Sequence, residues 1–170
     1  RTKTMLFRDF PDVFNPEYLS NSIRFAKELE AYKEDPWLIG YFMRNEPEWG
    51  FGSFNLASEM LEANPGTASR TALAAKMKEK YREINDLNKA WGTDLKSFDE
   101  LVSQNFRRME DKSAQAKKDL WSFSEEMVSA YVKIPAEELR KVDPHHLNLG
   151  MRYAWIASDL MYKAGEVFDV

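Results

Sequence analysis

The sequence predicts an α/β fold in which a parallel sheet is covered by helices. Helix-like and strand-like segments alternate in the order helix, strand, helices, strand, helix, strand, and such alternation implies parallel strands joined by helical crossovers. The first strand-like segment, residues 37–43 (WLIGYFM), contains no charged residue. A short, uninterrupted apolar run is typical of a strand that is buried on both faces of a parallel sheet. The length of 170 residues fits one domain.

The first helix is predicted from local signals at its two ends. Residues 1–15 are expected to form a loop. Asn15, Pro16 and Glu17 then combine an N-cap, a proline at the first helical position and an acidic first turn. The helix is expected to stop before Pro36, because the residue preceding a proline avoids the helical region. Its predicted inner face consists of Leu19, Ile23, Ala26 and Leu29.

Three helices are predicted in the middle of the chain. The first covers residues 53–63, and the second begins near residues 67–69 and continues to Gly92, which is placed to cap its end. Ser97 and Glu100 have the three-residue spacing of a capping box, which predicts the start of a third, small helix. These helices lie between the first two strands and exceed a plain crossover, so they are expected to include an insertion.

The last third of the chain is predicted to contain a long helix and two further strands. The helix covers residues 111–142, and Pro135 is expected to bend or break it because proline lacks a backbone donor. Residues 146–154 form the second predicted strand and residues 165–170 the start of a third. A short helix over residues 158–164 is expected to connect them.

Composition and motifs exclude several classes of function. The net charge is −4, with 24 basic and 28 acidic side chains, whereas a nucleic-acid-binding protein needs a concentrated basic face. The chain has no cysteine, so disulfides, zinc–cysteine sites and cysteine nucleophiles are excluded. No apolar run approaches the length of a membrane span. Neighbouring strand residues face opposite ways, so His145 and His146 are not expected to form a metal pair.

The residues that follow the first strand are the candidate site. Parallel α/β folds place reacting groups at the carboxyl ends of their strands, and Asn45 and Glu46 stand there. A carboxyl group leaving an apolar strand is partly desolvated, which favours its protonated form and suits it to general acid catalysis. The Asn45 amide can both donate to and accept from a hydroxyl group. Trp49 and Phe51 provide either flat faces for a sugar ring or packing within a loop.

Structural roles remain open for two of these charged candidates. Glu46 is either catalytic or a strand-end carboxylate that pairs with Arg44 or caps a helix. Arg152 follows the second apolar strand and precedes a loop. It either faces the site or forms an ion pair with Glu46 or Asp169.

Three segments resemble a known group of enzymes in the correct order. Residues 41–49 (YFMRNEPEW) resemble the fourth strand of clan A retaining glycoside hydrolases, which are (β/α)8 barrels with an Asn–Glu pair at this strand's end. Residues 80–101 are similar to the following segment of family 42-type beta-galactosidases and related beta-agarases. Residues 143–154 resemble the fifth strand of the agarases, with Arg152 near its end, and residues 167–170 (VFDV) resemble the beginning of the sixth.

The resemblance implies a fold and a set of roles. Residues 1–170 are expected to be a fragment of one catalytic TIM-barrel domain, a partial (β/α)8 barrel with about strands four to six, their helices and a helical insertion. Glu46 would be the acid/base of a retaining hydrolase, and Asn45 would bind the 2-hydroxyl of the sugar. Trp49 and Arg152 are the other candidate substrate-binding residues. Arg44 departs from the pattern, because these enzymes often have Asp there.

The expected substrate is a beta-linked galactoside or galactan-type polysaccharide, and no metal or organic cofactor is implied. Retaining hydrolysis needs a second carboxylate, which the family places on the seventh strand, so the nucleophile is expected outside this chain and the fragment alone is expected to be inactive. The alternatives are a non-catalytic carbohydrate-binding protein on the same scaffold and a helix-rich interaction module. Exposed sheet edges predict self-association. The compartment is not assigned, with a periplasmic or secreted location slightly favoured for an enzyme acting on polysaccharide.

Overall fold

The computed structural model describes residues 5–170, which form a mixed α/β fold. The helices are α1 (Pro16–Leu29), α2 (Leu56–Glu62), α3 (Ala68–Tyr81), α4 (Ile84–Trp91), α5 (Glu100–Ser103), α6 (Ala114–Val142) and α7 (Met161–Gly165). The strands are β1 (Met5–Phe7), β2 (Phe10–Pro11), β3 (Gly40–Tyr41), β4 (Arg44–Asn45), β5 (Leu147–Asn148) and β6 (Met151–Arg152). Over these residues, no helix has the length and apolar character needed to cross a membrane.

The predicted parallel pairing is confirmed. β3 pairs with β5 and β4 pairs with β6, both parallel and in one register, with Gly40 opposite Leu147 and Arg44 opposite Met151. Backbone hydrogen bonds continue between the two short pairs, for example from the amide of Met43 to the Gly150 carbonyl at 2.8 Å. The three sheets over residues 5–170 have two strands each, so these residues do not form a closed barrel.

The third predicted strand lies next to β5, where the next strand of the sheet is expected, but it forms little regular structure. The backbone amide of Asp169 donates to the carbonyl of Asn148 at 2.9 Å, which places this segment beside β5. Residues 166–170 are otherwise without strand geometry, and α7 extends to Gly165. The prediction is therefore correct in position and wrong in the extent of the strand.

The expected burial of residues 37–43 is wrong for the chain as described. Trp37, Ile39 and Phe42 are 90%, 73% and 61% exposed. The physical reason is that, among residues 5–170, this segment pairs with one strand only. A strand is buried on both faces only when neighbours and covering helices surround it.

Residues 5–11 are more ordered than predicted, and residues 1–4 of the expected loop lie outside the described residues. β1 and β2 form an antiparallel hairpin where a loop was expected. α1 begins as predicted, since the side chain of Asn15 accepts a hydrogen bond from the amide of Glu17 at 2.9 Å. Its inner face differs from the prediction, because α6 packs against the side that carries Tyr18, and Leu19 and Ile23 are 43% and 47% exposed. The buried residues of α1 are Tyr18, Ser22 and Ala26.

Two predictions about helix continuity are wrong. The helix expected from residues 67–69 to Gly92 is divided into α3 and α4, with Arg82 between them at a φ of 63°. Gly92 caps α4 in the left-handed conformation, as predicted. α6, by contrast, is continuous through Pro135. Pro135 cannot donate to the carbonyl of Tyr131 four residues earlier, and the hydroxyl of Tyr18 donates to that carbonyl instead, at 2.6 Å.

The core is formed where α1, α2 and α4 pack against α6, and α3 and the hairpin contribute further buried residues to it. Two buried charged side chains hold these helices together. Asp119 of α6 accepts hydrogen bonds from groups on α3, α4 and α6 itself. Arg70 of α3 donates to backbone carbonyl groups around the end of α2 and the end of α5. The parallel strands lie at the edge of this core, and the loops that follow them are anchored in it.

Candidate active site

Asn45 and Arg152 are brought together at the carboxyl end of the parallel strands. They are paired residues of β4 and β6, and Nη1 of Arg152 donates to Oδ1 of Asn45 at 2.6 Å. A guanidinium group can only donate, so the amide atom that faces it must be the oxygen. The Nδ2 amino group of Asn45 is therefore turned away from Arg152. The alternative for Arg152, an ion pair with Glu46 or Asp169, is not formed among the described residues, and Asp169 pairs with Arg140 at 2.5 Å.

Glu46 occupies a strained position immediately after β4. Its backbone amide donates to the carbonyl of Arg152 at 2.8 Å, and its φ is 47°. The left-handed conformation costs a residue with a Cβ about 1–2 kcal/mol, and such outliers cluster at functional sites. Within residues 5–170, the half-buried carboxyl group of Glu46 forms no ion pair or side-chain hydrogen bond. Glu46 therefore forms neither the ion pair with Arg44 nor the helix cap that were its alternative roles.

Arg44 interacts with the helices rather than with Glu46. Its guanidinium group lies 5.1 Å from the centre of the Tyr131 ring and also interacts with Tyr18 and Asp9. Burial raises the pKa of the Tyr18 hydroxyl, and the positive charge of Arg44 partly opposes this rise. Arg44 therefore links β4 to α1 and α6.

The hairpin fixes the turn that follows Glu46, and the sequence contained no pattern that predicted this role. Both carboxylate oxygens of Asp9 accept from the backbone amide of Glu48 at 3.2 Å. Arg8 forms ion pairs with Glu48 at 3.6 Å and Glu59 at 3.3 Å. Asp9 and Arg8 thus hold the 3₁₀ turn Glu48–Phe51 on the tip of the hairpin.

Trp49 is a core residue, and its predicted role as a surface for a sugar ring is corrected. It is 1% exposed and makes edge contacts with the rings of Tyr131 and Tyr153, at 6.1 and 6.4 Å between centroids. A buried indole offers no face to a ligand. The alternative of a packed loop describes Trp49, because the 3₁₀ turn directs this side chain into the core.

A more exposed pair of aromatic rings lies at the same end of the strands. Phe51 contacts Tyr153 at 5.5 Å and Trp155 at 4.8 Å between centroids. Trp155 is 64% exposed. No motif in the sequence marks Trp155, and the only local indication is its position three residues after Arg152.

A cavity of about 630 Å³ lies beside β4 and borders the candidate site only at Asn45 and Pro47. It is lined by Tyr18, Phe25, Arg44, Asn45 and Tyr131, among others, and not by Glu46, Arg152 or Trp155. The cavity lies between the hairpin, α1, α6 and the free edge of β4. We therefore place the site at the strand ends, on the geometry of the polar side chains.

The opposite end of the strands carries a closed polar network. Nδ1 of His146 contacts Oδ2 of Asp143 at 2.6 Å, Nε2 of His146 contacts the Asp35 carbonyl at 3.0 Å, and the Tyr41 hydroxyl donates to Oδ2 of Asp143 at 2.7 Å. Both ring nitrogens of His146 face acceptors, which suits the protonated imidazole. Over residues 5–170, no group of three or more His, Cys, Asp or Glu side chains is placed to hold a metal ion.

These contacts shift the pKa values of the network. The hydrogen bond with Asp143 raises the pKa of His146. Burial alone would raise the pKa of Asp143, but the hydrogen bonds from Tyr41 and His146 outweigh it and lower the pKa to about 2. Burial and the bond to Asp143 raise the pKa of Tyr41 to about 12.

Comparisons with known proteins place the chain in an enzyme family. The chain is 34% identical over 154 residues to beta-agarase B of Vibrio sp. (strain JT0107), and this match covers 84% of the chain and 16% of the relative. Two solved structures, of the agarase AgWH50C and of an exo-beta-agarase, match with TM-scores of 0.82 and 0.83 at 25% and 26% identity. Each match covers 98% of this chain, and 25% and 24% of the respective structures.

The chain thus spans about a sixth of the length of the curated beta-agarase that it resembles. A family profile described as Glyco_hydro_42, Beta-galactosidase, matches residues 5–163, which is nearly the whole chain. The profile covers β4 and β6 and hence the pair of Asn45 and Arg152. The chain belongs to this glycoside hydrolase family, Glyco_hydro_42.

Proposed function

We propose that this chain is part of a retaining glycoside hydrolase with a (β/α)8-barrel domain, in which it supplies about strands four to six and the acid/base. The observation that carries the proposal is the placement of Glu46. Its carboxyl group leaves the carboxyl end of a parallel strand, in a strained backbone conformation and without a partner among the described residues. Carboxyl groups with structural roles are normally hydrogen-bonded or paired.

The proposed chemistry divides the reaction between two carboxyl groups. Glu46 donates its proton to the glycosidic oxygen as the bond to the anomeric carbon breaks, and a second carboxylate attacks that carbon. Glu46 then takes a proton from the water that hydrolyses the glycosyl-enzyme. The second carboxylate is supplied by a segment outside these 170 residues and must lie about 5–5.5 Å from Glu46.

Asn45 and Arg152 bind and orient the sugar in this proposal. Because Arg152 holds Oδ1 of Asn45, the Nδ2 group is directed to donate to a sugar hydroxyl oxygen. A preorganised donor of this kind loses little conformational entropy when the substrate binds. The proposed substrate is a beta-linked polysaccharide of the agarose or galactan type, as the relatives' names and the family description suggest.

A chimeric enzyme tests the role of Glu46. In beta-agarase B of Vibrio, the segment that matches this chain is replaced by the matching residues of this chain. We expect the substitution Glu46→Gln to lower kcat for agarose about 10²–10⁴-fold, because the amide cannot transfer a proton. Glu48→Gln, two residues away, is the matched control and should change kcat less than about twofold.

Chemical rescue sharpens this test. With Glu46→Ala in the chimera and an aryl glycoside that has a good leaving group, azide should restore turnover, because it needs no general base to attack the glycosyl-enzyme. The product should be the β-glycosyl azide. Full activity of Glu46→Gln in a folded chimera would overturn the catalytic role of Glu46. A folded, unsubstituted chimera that binds agarose but does not hydrolyse it would favour a carbohydrate-binding protein. Hydrolysis of an aryl galactoside by the isolated chain, abolished by Glu46→Gln, would show that no external nucleophile is needed.

We further propose that the isolated chain self-associates through its exposed strand edge. Trp37, Ile39 and Phe42 are each more than half exposed on this segment, and an unpaired edge can template pairing with another chain. Light scattering on the chain should show a mass that increases with concentration. A mass of 19.9 kDa at all concentrations would contradict the proposal.

A further inference from the structure

We propose that Trp155 and Phe51 form a carbohydrate subsite at the carboxyl end of the strands, on which a pyranose ring of the substrate stacks. This inference rests on the proposed function for the nature of the ligand. It rests on the structure for the placement of the rings. It replaces Trp49, which is buried, as the aromatic surface of the site.

The two rings are the outer end of a connected aromatic series. Trp49 packs on Tyr153 in the core, Tyr153 contacts Phe51 at 5.5 Å with an interplanar angle of 81°, and Phe51 contacts Trp155 at 4.8 Å and 51°. Exposure rises along this series from 1% at Trp49 to 64% at Trp155. The inner rings therefore anchor the outer indole, which reduces the entropy that a ligand must overcome to order it.

The backbone around these rings is tied together as well. The amides of Ala157 and Ser158 both donate to the carbonyl of Gly50, at 3.0 and 3.2 Å, and the hydroxyl of Ser53 donates to the carbonyl of Ala157 at 3.2 Å. These bonds join the loop after β6 to the turn after β4. The loops that follow Glu46 and Arg152 thus form one surface with the aromatic pair.

The chemistry of this surface fits a galactose-type ring. The axial 4-hydroxyl of galactose leaves a continuous C–H face on the opposite side of the ring, and an exposed indole offers a matching flat apolar area. The side chain of Arg152, three residues before Trp155, provides donors for ring hydroxyl groups. Exposed apolar patches with a polar rim commonly mark binding sites.

Trp37 provides an internal contrast for the same side chain. It is 90% exposed, at the amino end of the strands. No ring contact of Trp37 is present over residues 5–170, and its backbone amide is held by the Asp35 carboxylate at 2.9 Å. An exposed tryptophan without anchoring rings or neighbouring strand-end donors is not organised for a sugar. It is therefore the matched control for Trp155.

The test is a titration of the isotopically labelled 170-residue chain with neoagarotetraose, followed by NMR. We expect the indole N–H signal of Trp155 to shift, and Trp155→Ala to raise the dissociation constant about tenfold. Trp155→Phe should stay within about threefold, because it keeps a flat ring, and this variant separates stacking from disturbed folding. Trp37→Ala should bind like the unsubstituted chain.

Several results would overturn the subsite. The first is a dissociation constant that is unchanged in Trp155→Ala. The second is a loss of affinity in Trp37→Ala that equals the loss in Trp155→Ala. The third is the absence of any NMR shift at about 10 mM oligosaccharide, a concentration at which even millimolar affinity is visible. The outcome is independent of catalysis. If Glu46→Gln leaves the chimera active but Trp155→Ala weakens binding, only the acid/base role fails. If Glu46→Gln abolishes activity but Trp155→Ala binds normally, only the subsite fails.

Discussion

At the amino end of the parallel strands, Tyr41, Asp143 and His146 satisfy one another through hydrogen bonds of 2.6–2.7 Å. At the carboxyl end of the same strands, Glu46 has a φ of 47° and a carboxyl group without a partner among the described residues. Both ends carry acidic side chains next to the same sheet. They differ in whether the surrounding protein completes the hydrogen bonding of those side chains.

This difference separates stability from function within one short sheet. A buried carboxylate with several donors ties α6 to β3 and stabilises the fold. A strained residue with an unpaired carboxyl group does not stabilise the fold and persists only because the surrounding structure holds it. Removal of the acidic side chain should therefore cost much more free energy of unfolding at the amino end than at the carboxyl end. Four experiments examine the two ends in order of decreasing effect.

The largest effect is expected at the amino end. Asp143→Ala removes the acceptor of Tyr41 and His146 and should lower the free energy of unfolding by about 2–4 kcal/mol. Urea denaturation of the isolated chain measures this value. Glu46→Gln is the counterpart at the carboxyl end and should change the same quantity by less than about 0.5 kcal/mol. If Asp143→Ala and Glu46→Gln lost the same free energy of unfolding, the two ends of the strands would not differ in their contribution to stability.

The next effect concerns how tightly the turn after Glu46 is packed. A Cβ on Gly50 would lie 2.3 Å from the ring of Tyr153, so Gly50→Ala should destabilise the chain by about 1–3 kcal/mol through overpacking. Thermal unfolding followed by circular dichroism measures the loss. Gly165→Ala is the control, because a Cβ there meets no atom within 4 Å. A larger loss in Gly165→Ala than in Gly50→Ala would contradict the packing described for this turn.

A smaller effect of opposite sign is expected at Glu46 itself. Glu46→Gly removes the strain of the left-handed conformation and should raise the free energy of unfolding by about 0.5–1 kcal/mol. Glu48→Gly in the neighbouring 3₁₀ turn, where φ does not require glycine, should lower it by about 0.5–1 kcal/mol. Urea denaturation distinguishes the two signs. A loss of stability in Glu46→Gly would show that the strain has no energetic consequence.

The smallest effect is the pH dependence of the amino-end network. The pKa of His146 is raised above its ordinary value of 6.5, so its contribution is fully present below about pH 6.5 and is lost as the pH rises through the folded-state pKa. Asp143 acts in the other direction. Its pKa falls from 3.8 to about 2, so its contribution is present above pH 3.8 and is lost as the pH falls through about 2.

His146→Asn should therefore reduce the fall in melting temperature between about pH 6 and pH 9. His145→Asn is the control, because His145 is exposed and its side chain is outside the network. A pH profile of His146→Asn that coincides with that of the unsubstituted chain would show that this network does not titrate as described.

Predictions from the sequence succeeded where the signal lies within a few residues. The helix start at Asn15 and the left-handed cap at Gly92 depend on local backbone chemistry, and both are confirmed. The continuity of α6 could not be predicted, because the carbonyl left free by Pro135 is satisfied by Tyr18, which is more than one hundred residues away. The pairing of Asn45 with Arg152 likewise depends on a register that neither strand specifies alone.

The aromatic residues of the site show the same limit. Trp49 and Trp155 both follow parallel strands in the sequence, and both are flat, apolar side chains. The turn held by Asp9 directs Trp49 into the core, whereas Trp155 remains 64% exposed beside Phe51. Composition and spacing do not distinguish these two cases.

The sequence by itself determined the alternation of helices and strands, the parallel pairing and the position of Asn45 and Glu46 at a strand end. These features follow from hydrophobic patterning and from proline, glycine and capping residues, which act over short distances. Only the tertiary structure decided that Arg152 orients Asn45, that Trp49 is buried and that Glu46 remains unpaired among the residues described. Each of these depends on contacts between segments far apart in the chain, which burial and hydrogen-bond geometry select only once the helices have packed around α6.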